Sequence, residues 1–495
     1  MAHEHFNYID GKWKASISGR TFEDLNPANR TDVLGLFPRS DAGDVDEGVR
    51  AAWTHFPKWR QVPAPRRAEI MFRAAELLVK RKEELARLMT REMGKVLKEA
   101  SGDVQEAIDM TYYVAGEGRR LFGQTTPAEL PDKFAMSVRV PIGVVAAITP
   151  WNFPLAIPTW KLIPALVAGN TVVFKPAEDT PLMGERLVEI LLEAGLPEGV
   201  LNLVQGIGEE GGAALVRHPH VDLVSFTGSC ETGREVAMAC AERHAKVSLE
   251  MGGKNPIIVM DDADLDLALE GAVWGAFGTT GQRCTAASRL VVHRTVLREF
   301  TDRLVERAER LRLGDGLLPT TDVGPLINEA QLQRVHGYTE LAKQEGARIL
   351  TGGYIYTDGE CADGFFYAPT IFADVTVDMR IAQEEIFGPC PAIIAVSSLQ
   401  EAIDVANSTK FGLSSAIYTR DVNKAFIALR DMEAGITYVN ASTIGAEVHL
   451  PFGGVKQTGN GHREGGTTVL DIFTEWKTLY IDFSGRLQKA QIDIG

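Results

Sequence analysis

An α/β fold, with parallel sheets covered by helices on both faces, is the architecture this chain predicts, and three observations carry it. Short apolar runs rich in Val and Leu recur at 144–148, 171–174, 201–204, 223–226 and 247–249. Candidate helices lie between them at roughly 182–194, 208–217 and 231–243. A second alternating series begins near Gly253: a run at 256–260, a helix at 265–277, a run at 289–293 and a helix at 296–312. Successive parallel strands need a crossover of a dozen residues or so, and the intervening helices supply it.

The flanking elements follow from the same patterns. From Pro65 to about Phe122, Ile70, Ala74, Leu77, Leu78, Leu85, Leu88 and Met89 recur at three- and four-residue steps among Lys and Arg, the mark of amphipathic helix. A polar, Pro-containing segment at 123–133 precedes an alternating run at 134–140, which reads as the strand of an arm rather than part of a main sheet. The final strand-like run, 478–483, is a candidate partner for that arm.

Composition narrows the function classes. The 495 residues suffice for two or three domains, and 45% apolar with 24% charged residues is ordinary for a soluble globular protein. A net charge of −15 argues against nucleic acid as a partner, because phosphate backbones call for basic patches. Cys230, Cys240, Cys284, Cys361 and Cys390 are odd in number, scattered and without a CxxC, so a disulfide framework or zinc ribbon is not expected and a reducing, cytoplasmic setting is. No secretory signal is read at the N-terminus, and the most apolar stretch, 144–174, is broken by Pro150, Pro154, Pro158, Lys161 and Pro164, so no membrane span is expected. None of the ten histidines has metal-ligand spacing, and no metal is expected.

The chemistry centres on Cys284, in Phe277-Gly278-Thr279-Thr280-Gly281-Gln282-Arg283-Cys284-Thr285-Ala286, where small neighbours let a ligand approach the sulfur. Glu250 follows a strand-like run in Leu249-Glu250-Met251-Gly252-Gly253-Lys254. Phe226-Thr227-Gly228-Ser229 stands at a strand-to-helix turn, with Gly233 in the helix's first turn; it reads either as a phosphate-binding turn or as a tight turn with a helix cap. Lys175 and Glu178, in Phe174-Lys175-Pro176-Ala177-Glu178, read either as ribose ligands or as surface residues at a strand end. A carboxylate in the first role favours NAD over NADP, whose extra phosphate would meet like charge. Taken singly, each residue has a plainer role: an inert buried cysteine, a glutamate paired with Lys254, a turn-forming Asn152.

Taken together, the motifs resemble the NAD(P)-dependent aldehyde dehydrogenase superfamily over nearly the whole chain. Thr149-Pro150-Trp151-Asn152-Phe153-Pro154, Lys175-Pro176-Ala177-Glu178, Phe226-Thr227-Gly228-Ser229, Leu249-Glu250-Met251-Gly252-Gly253-Lys254, Gly281-Gln282-Arg283-Cys284, Glu384-Glu385-Ile386-Phe387-Gly388-Pro389 and Pro451-Phe452-Gly453-Gly454 stand in that family's order. The resemblance implies a Rossmann-like cofactor domain (1–122 and 142–252), a second α/β catalytic domain (253–467) and an oligomerisation arm (123–141 and 468–495) building a homodimer or homotetramer. It implies Cys284 as nucleophile, Glu250 as general base and Asn152 as oxyanion donor. It also implies Lys175 and Glu178 on the adenosine ribose and Gly228, Ser229 and Gly233 at the pyrophosphate. Thr149, Trp151, Gly208 and Met251 would lie along NAD (NADP being possible), with Glu385 and Phe387 at the nicotinamide end.

The expected reaction is oxidation of a small-molecule aldehyde to the acid through a thiohemiacetal and a thioester. Phe153 and Trp160 are left between tunnel lining and packing, and Arg283 between binding an anionic substrate and a salt bridge. His449 and His462 are candidates for the substrate entrance. The segment Gly445-Ala446-Glu447-Val448-His449-Leu450-Pro451-Phe452-Gly453-Gly454 and the tail through Arg486 look closest to the bacterial 2,5-dioxovalerate (α-ketoglutarate semialdehyde) branch, so a carboxylate-bearing semialdehyde is expected. A non-phosphorylating glyceraldehyde-3-phosphate dehydrogenase, a broad-specificity aldehyde dehydrogenase, and a cysteine hydrolase or acyltransferase using His449 or His462 are the alternatives.

Overall fold

The computed structural model describes residues 3–493 and contains two seven-stranded sheets, a three-stranded arm and an N-terminal hairpin. The first sheet runs in the order Lys246–Glu250, Leu223–Thr227, Val144–Ile148, Thr171–Lys175, Leu201–Leu203, Asn7–Ile9 and Lys12–Lys14. Its first five strands are parallel and are the five that the apolar runs predict. The last two are antiparallel additions from the N-terminus that the sequence does not signal, because three-residue strands show no measurable period. Side chains alternate between two cores. Val145, Ala147, Val172 and Phe174 pack on one face, and Val144, Ala146, Val173 and Val224 on the other. A sheet buried on both faces explains why its strands read as unbroken apolar runs rather than as alternating ones.

The second sheet, in the order Arg348–Thr351, Ile371–Ala373, Ala392–Val396, Ala287–His293, Asn255–Val259, Ser414–Tyr418 and Ile436–Val439, is parallel apart from its first strand. It too lies between two apolar clusters. The expected helix at 265–277 is found as Leu265–Phe277, while that at 296–312 is Arg294–Glu309, started earlier by His293, whose ring accepts from the Thr295 N–H.

Three expectations are refined. The helical stretch from Pro65 to Phe122 is three helices, Ala64–Lys80, Lys82–Met93 and Leu97–Glu117; Gly94, at φ 88°, ends the second in a left-handed cap. The candidate helix at 208–217 opens with a wide turn, Gly208–Gly212, before Ala213–Arg217. The arm strand at 134–140 is Lys133–Pro141, and its partner begins earlier than expected. Thr474–Asp482 pairs antiparallel with it from Thr474 opposite Pro141 to Asp482 opposite Lys133, and Gln124–Pro127 adds a third strand.

Register places the site. Ile148 lies opposite Lys175, Phe226 opposite Ile148, and Thr227 opposite Glu250. The parallel strands of the first sheet therefore end along one edge, delivering Thr149, Lys175, Thr227 and Glu250 to the crevice at their carboxyl ends, where open α/β sheets bind ligands. Phe174, wholly buried one residue before Lys175, anchors that edge. Phe174→Ala is expected to lower the unfolding free energy by about 3–5 kcal/mol, read as a shift of the urea midpoint.

Candidate functional site

The Cys284 loop begins with strain. Thr279, Thr280 and Gly281 follow one another at φ 52°, 57° and 68°. Left-handed backbone is costly for a β-branched residue and persists only when its surroundings over-determine it. Here the Glu99 carboxylate, from the helix Leu97–Glu117, accepts the Thr279 N–H at 2.9 and 3.0 Å. Thr280 Oγ1 donates to the Gly324 carbonyl at 2.9 Å, and Gln282 Oε1 accepts the Ile327 N–H at 3.0 Å. A Cβ on Gly281 would stand 2.2 Å from the Gly388 carbonyl oxygen, so that position has to be glycine.

Cys284 faces two cavities. The first, of about 260 Å³, is bordered by Trp151, Asn152, Gly228, Ser229, Glu385 and Phe387; the second, of about 140 Å³, by Glu106, Phe153, Trp160, Glu250, Arg283 and Phe452. Thr227, Met251 and Cys284 line both. Asn152 Nδ2 donates one hydrogen to the Gln282 carbonyl at 3.0 Å, which fixes the amide and leaves its second N–H free. Glu250 is 3% exposed, and neither of its carboxyl oxygens has a partner. Burial, then the Glu464 carboxylate, pushes its pKa well above the usual range. Glu464 is itself ion-paired with the buried Lys161 ammonium, which also donates to Ser225 Oγ at 3.2 Å. The Cys284 thiol is pushed up to about 12, by burial first and then by Glu385, Glu250 and Glu106. Without a bound cation or an accepting base, this sulfur is a neutral thiol at physiological pH.

A groove of about 580 Å³ continues from the first cavity, lined by Thr149, Trp151, Lys175, Glu178, Gly208 and Ser229. Lys175 Nζ donates to the Pro176 carbonyl at 3.0 Å and meets Glu178 Oε2 at 3.4 Å; the Gly208 N–H points at Glu178 Oε1 from 3.5 Å. At the turn 226–229 the helix-cap reading is realised, and the turn also borders the groove. Ser229 caps the helix Cys230–Ala241, accepting from the Thr232 N–H at 3.1 Å, while Gly228 and Ser229 also line the groove. Gly233 is buried against Met251, whose Sδ would lie 2.3 Å from a Cβ there, so it sets packing beneath the groove. At the far end Glu385 accepts the Gly253 N–H at 3.1 Å, with burial raising its carboxyl to about 7. Phe387, at φ 61°, meets Trp151 edge-on at 5.4 Å. Gln331 Nε2 pins this loop by donating to the Phe387 carbonyl at 2.7 Å.

The residues with open readings are placed as follows. Arg283 makes the expected salt bridge, its guanidinium reaching Glu99 at 3.5 Å and Thr279 Oγ1 at 2.8 Å and stacking over Trp274 at 4.8 Å, and it also borders the second cavity. Phe153 lines that cavity beneath the Lys95 ammonium, 3.9 Å from the ring centroid. Trp160 lines it while packed edge-on to Phe452 at 5.4 Å. His449 is exposed beside Glu447, and neither it nor His462 lines a cavity that Cys284 touches. Glu99, Glu106, Lys161, Gln331, Arg334 and Glu464 were not singled out from sequence. Glu99, Asp103 and Glu106 do recur at four- and three-residue steps, but such a charge stripe ordinarily marks a solvated helix face.

A thiol raised this far stays protonated throughout the neutral range. The rate at which iodoacetamide alkylates Cys284 in the ligand-free protein is therefore expected to climb about tenfold per pH unit from pH 7 to 10. A plateau within that window would contradict it.

Comparison with known proteins agrees with this geometry. The family model described as "Aldehyde dehydrogenase family" matches residues 13–479. The chain is 43% identical over 477 residues to the alpha-ketoglutaric semialdehyde dehydrogenase of Bacillus subtilis (strain 168), covering 96% of this chain and 98% of the relative. It is 41% identical over 466 residues to the 2,5-dioxopentanoate dehydrogenase of Saccharolobus solfataricus, covering 94% and 96%. The crystal structure of betaine aldehyde dehydrogenase from Staphylococcus aureus in complex with NAD+ superposes with a TM-score of 0.95 at 35% identity, covering 98% of this chain and 96% of that one.

Proposed function

Because the chain belongs to the aldehyde dehydrogenase family, we propose that it oxidises the aldehyde end of a carboxylate-bearing semialdehyde to the acid, with Cys284 as nucleophile, Glu250 as general base and Asn152 as oxyanion donor. One observation carries the assignment: Cys284 is exposed at once to the groove-side cavity and to the cavity walled by Glu250.

In the first step the Cys284 proton passes to Glu250, whose carboxyl holds a proton well above the usual carboxylate range, and the sulfur adds to the aldehyde carbon. The free N–H of the Asn152 amide and the Cys284 backbone N–H receive the oxyanion, a role worth about 2.7–4 kcal/mol per donor in other enzymes. When bound, the nicotinamide cofactor supplies the hydride acceptor. Glu250 passes that proton to solvent and then takes one from water as the oxygen adds to the Cys284 thioester carbon; the C–S bond breaks, the sulfur leaves as thiolate and regains a proton from Glu250, and the acid is released. Lys161, paired with Glu464 beside Glu250, stabilises negative charge in that corner.

The residues of the groove fit NAD. The Glu178 carboxylate is placed to accept from ribose hydroxyls, and a 2′-phosphate there would meet like charge. The NAD+ complex of the Staphylococcus relative supports the same choice. The semialdehyde class is supported by the names of the curated relatives and by Arg283, a partly neutralised cation on the second cavity wall. A cysteine hydrolase needs a base for its thiol, and no histidine lines either cavity at Cys284. We also assign the arm to pairing with a second copy, as a dimer or dimer of dimers. Trp476, Tyr480, Ile481 and Phe483 are all more than half exposed along it. The five unpaired cysteines support a reducing compartment such as the cytoplasm.

NADH formation from 2,5-dioxopentanoate is expected in the native protein and is lost in Cys284→Ala. Asn152→Ala lowers kcat about 10²–10³-fold, and Glu250→Gln lowers steady turnover about 10²–10⁴-fold. Turnover surviving without a nicotinamide cofactor would overturn the reading. Glu178→Gln should raise KM for NAD and narrow the preference over NADP, measured as a ratio of kcat/KM values.

A further inference from the structure

The second cavity holds a carboxyl that the mechanism does not use. Glu106 projects into it from the helix Leu97–Glu117, on the same face as Glu99 and Asp103 and beside Arg283. The neighbouring charges are already matched. The buried Lys95 ammonium donates to Asp103 at 2.8 Å and to the Asn152 carbonyl at 2.7 Å. Arg283 is taken by Glu99, which also holds the Thr279 backbone. Two cations thus face three carboxyls, and Glu106 is the one left over; among the described residues no hydrogen bond ties its carboxyl down. Glu106 is half-buried, and a carboxylate so placed without a partner favours taking up a proton.

We infer that Glu106, as a neutral carboxylic acid, donates a hydrogen bond to a carbonyl oxygen lying next to the substrate's carboxylate, and so selects 2-oxo-acid semialdehydes over simple ones. The inference rests on the semialdehyde reading above and deepens it. Cys284, Arg283 and Glu106 border one small cavity, so an aldehyde carbon at the sulfur leaves its far end beside the other two. Arg283 meets Thr279 and Glu99 through Nε and Nη2, and its Nη1, which has no hydrogen bond among the described residues, offers the carboxylate a donor, while a protonated acid suits the uncharged oxygen beside it. The ionised form would repel the same end of the substrate, and a phosphate more strongly.

Burial, reinforced by Asp103 and opposed by Lys95 and Arg283, brings the Glu106 carboxyl up to about 8, with Asp109 a smaller influence from its own helix. Cys284, Glu250 and Glu464 are the other titratable groups on the cavity wall. Their effects are common to all aldehydes, so a ratio between two substrates removes them. The preference is therefore present while Glu106 is protonated and is lost as pH rises past about 8.

The test compares 2,5-dioxopentanoate with 5-oxopentanoate, which has the same length and carboxylate but no ketone, in the full-length enzyme with NAD. In Glu106→Ala the ratio of their kcat/KM values is expected to fall about tenfold, the size of one well-made hydrogen bond, and mainly through KM. Glu106→Gln, whose amide still donates, should stay within about threefold of the native ratio while losing its decline above pH 8. A ratio that does not move in Glu106→Ala while both acids are oxidised overturns this assignment alone. Oxidation of pentanal with neither acid turned over overturns the semialdehyde reading along with it. Thermal melting of each variant separates lost selectivity from lost folding.

Discussion

Thr279 would not remain in left-handed backbone unaided, and the Glu99 carboxylate that accepts its N–H comes from a helix 180 residues earlier in the chain. This contact joins two units. The helix Leu97–Glu117 packs against the helix Ala156–Ala168, which lies on the first sheet, whereas the loop leaves the helix Leu265–Phe277 of the second. Whatever holds the loop also sets where the Cys284 sulfur sits between the two cavities. Glu99 further restrains Arg283, so the direction of the sulfur and the charge on the second cavity wall depend on one carboxylate. Strain of this kind is retained where geometry matters more than local stability.

The electrostatics around Cys284 run against an ionised sulfur. Glu250, Glu385 and Glu106 each raise its pKa, and burial raises it further. The same burial raises Glu250 and Glu385 themselves. The result is a pocket whose acids discourage one another's ionisation. A cationic ring held beside Trp151 and Phe387 would offset these carboxyls and favour the thiolate, since charges interact more strongly once solvent is excluded. The Lys161–Glu464 pair gives the corner near Glu250 its only local compensation from a buried lysine, and it is assembled by residues 303 positions apart.

Sheet register supplies the remaining order. Lys175, Thr227 and Glu250 end parallel strands of one sheet at matching heights, so one crevice collects a Lys–Glu pair, a small turn and a carboxyl group. The segment 456–460 runs beside the end of the edge strand Lys246–Glu250: the Met251 N–H donates to the Thr458 carbonyl at 2.8 Å, and Glu250 bridges to Gly459. A Cβ on Gly453 would stand 2.7 Å from Glu250 Oε1, which explains why the Pro451–Gly454 motif ends in glycines facing the acid.

The five parallel strands of the first sheet and the helix Leu265–Phe277 were legible from apolar spacing, because burial imposes a pattern on the chain itself, whereas the mostly exposed arm strand Thr474–Asp482 was legible only over its second half. The three-residue strands Asn7–Ile9 and Lys12–Lys14 were not, since their place depends on pairing with Leu201–Leu203 rather than on any pattern of their own. Cys284, Glu250 and Asn152 stood out by their motifs, and the chain by itself determined which chemistry was on offer. Tertiary structure alone decided the charge of the substrate end. Glu99, Asp103 and Glu106 look like a solvated stripe until Lys95 pairs with Asp103 and Arg283 with Glu99, which leaves Glu106 without a charge partner on the cavity wall. The protonation of a buried acid is set by neighbours distant in sequence, and no local spacing records them.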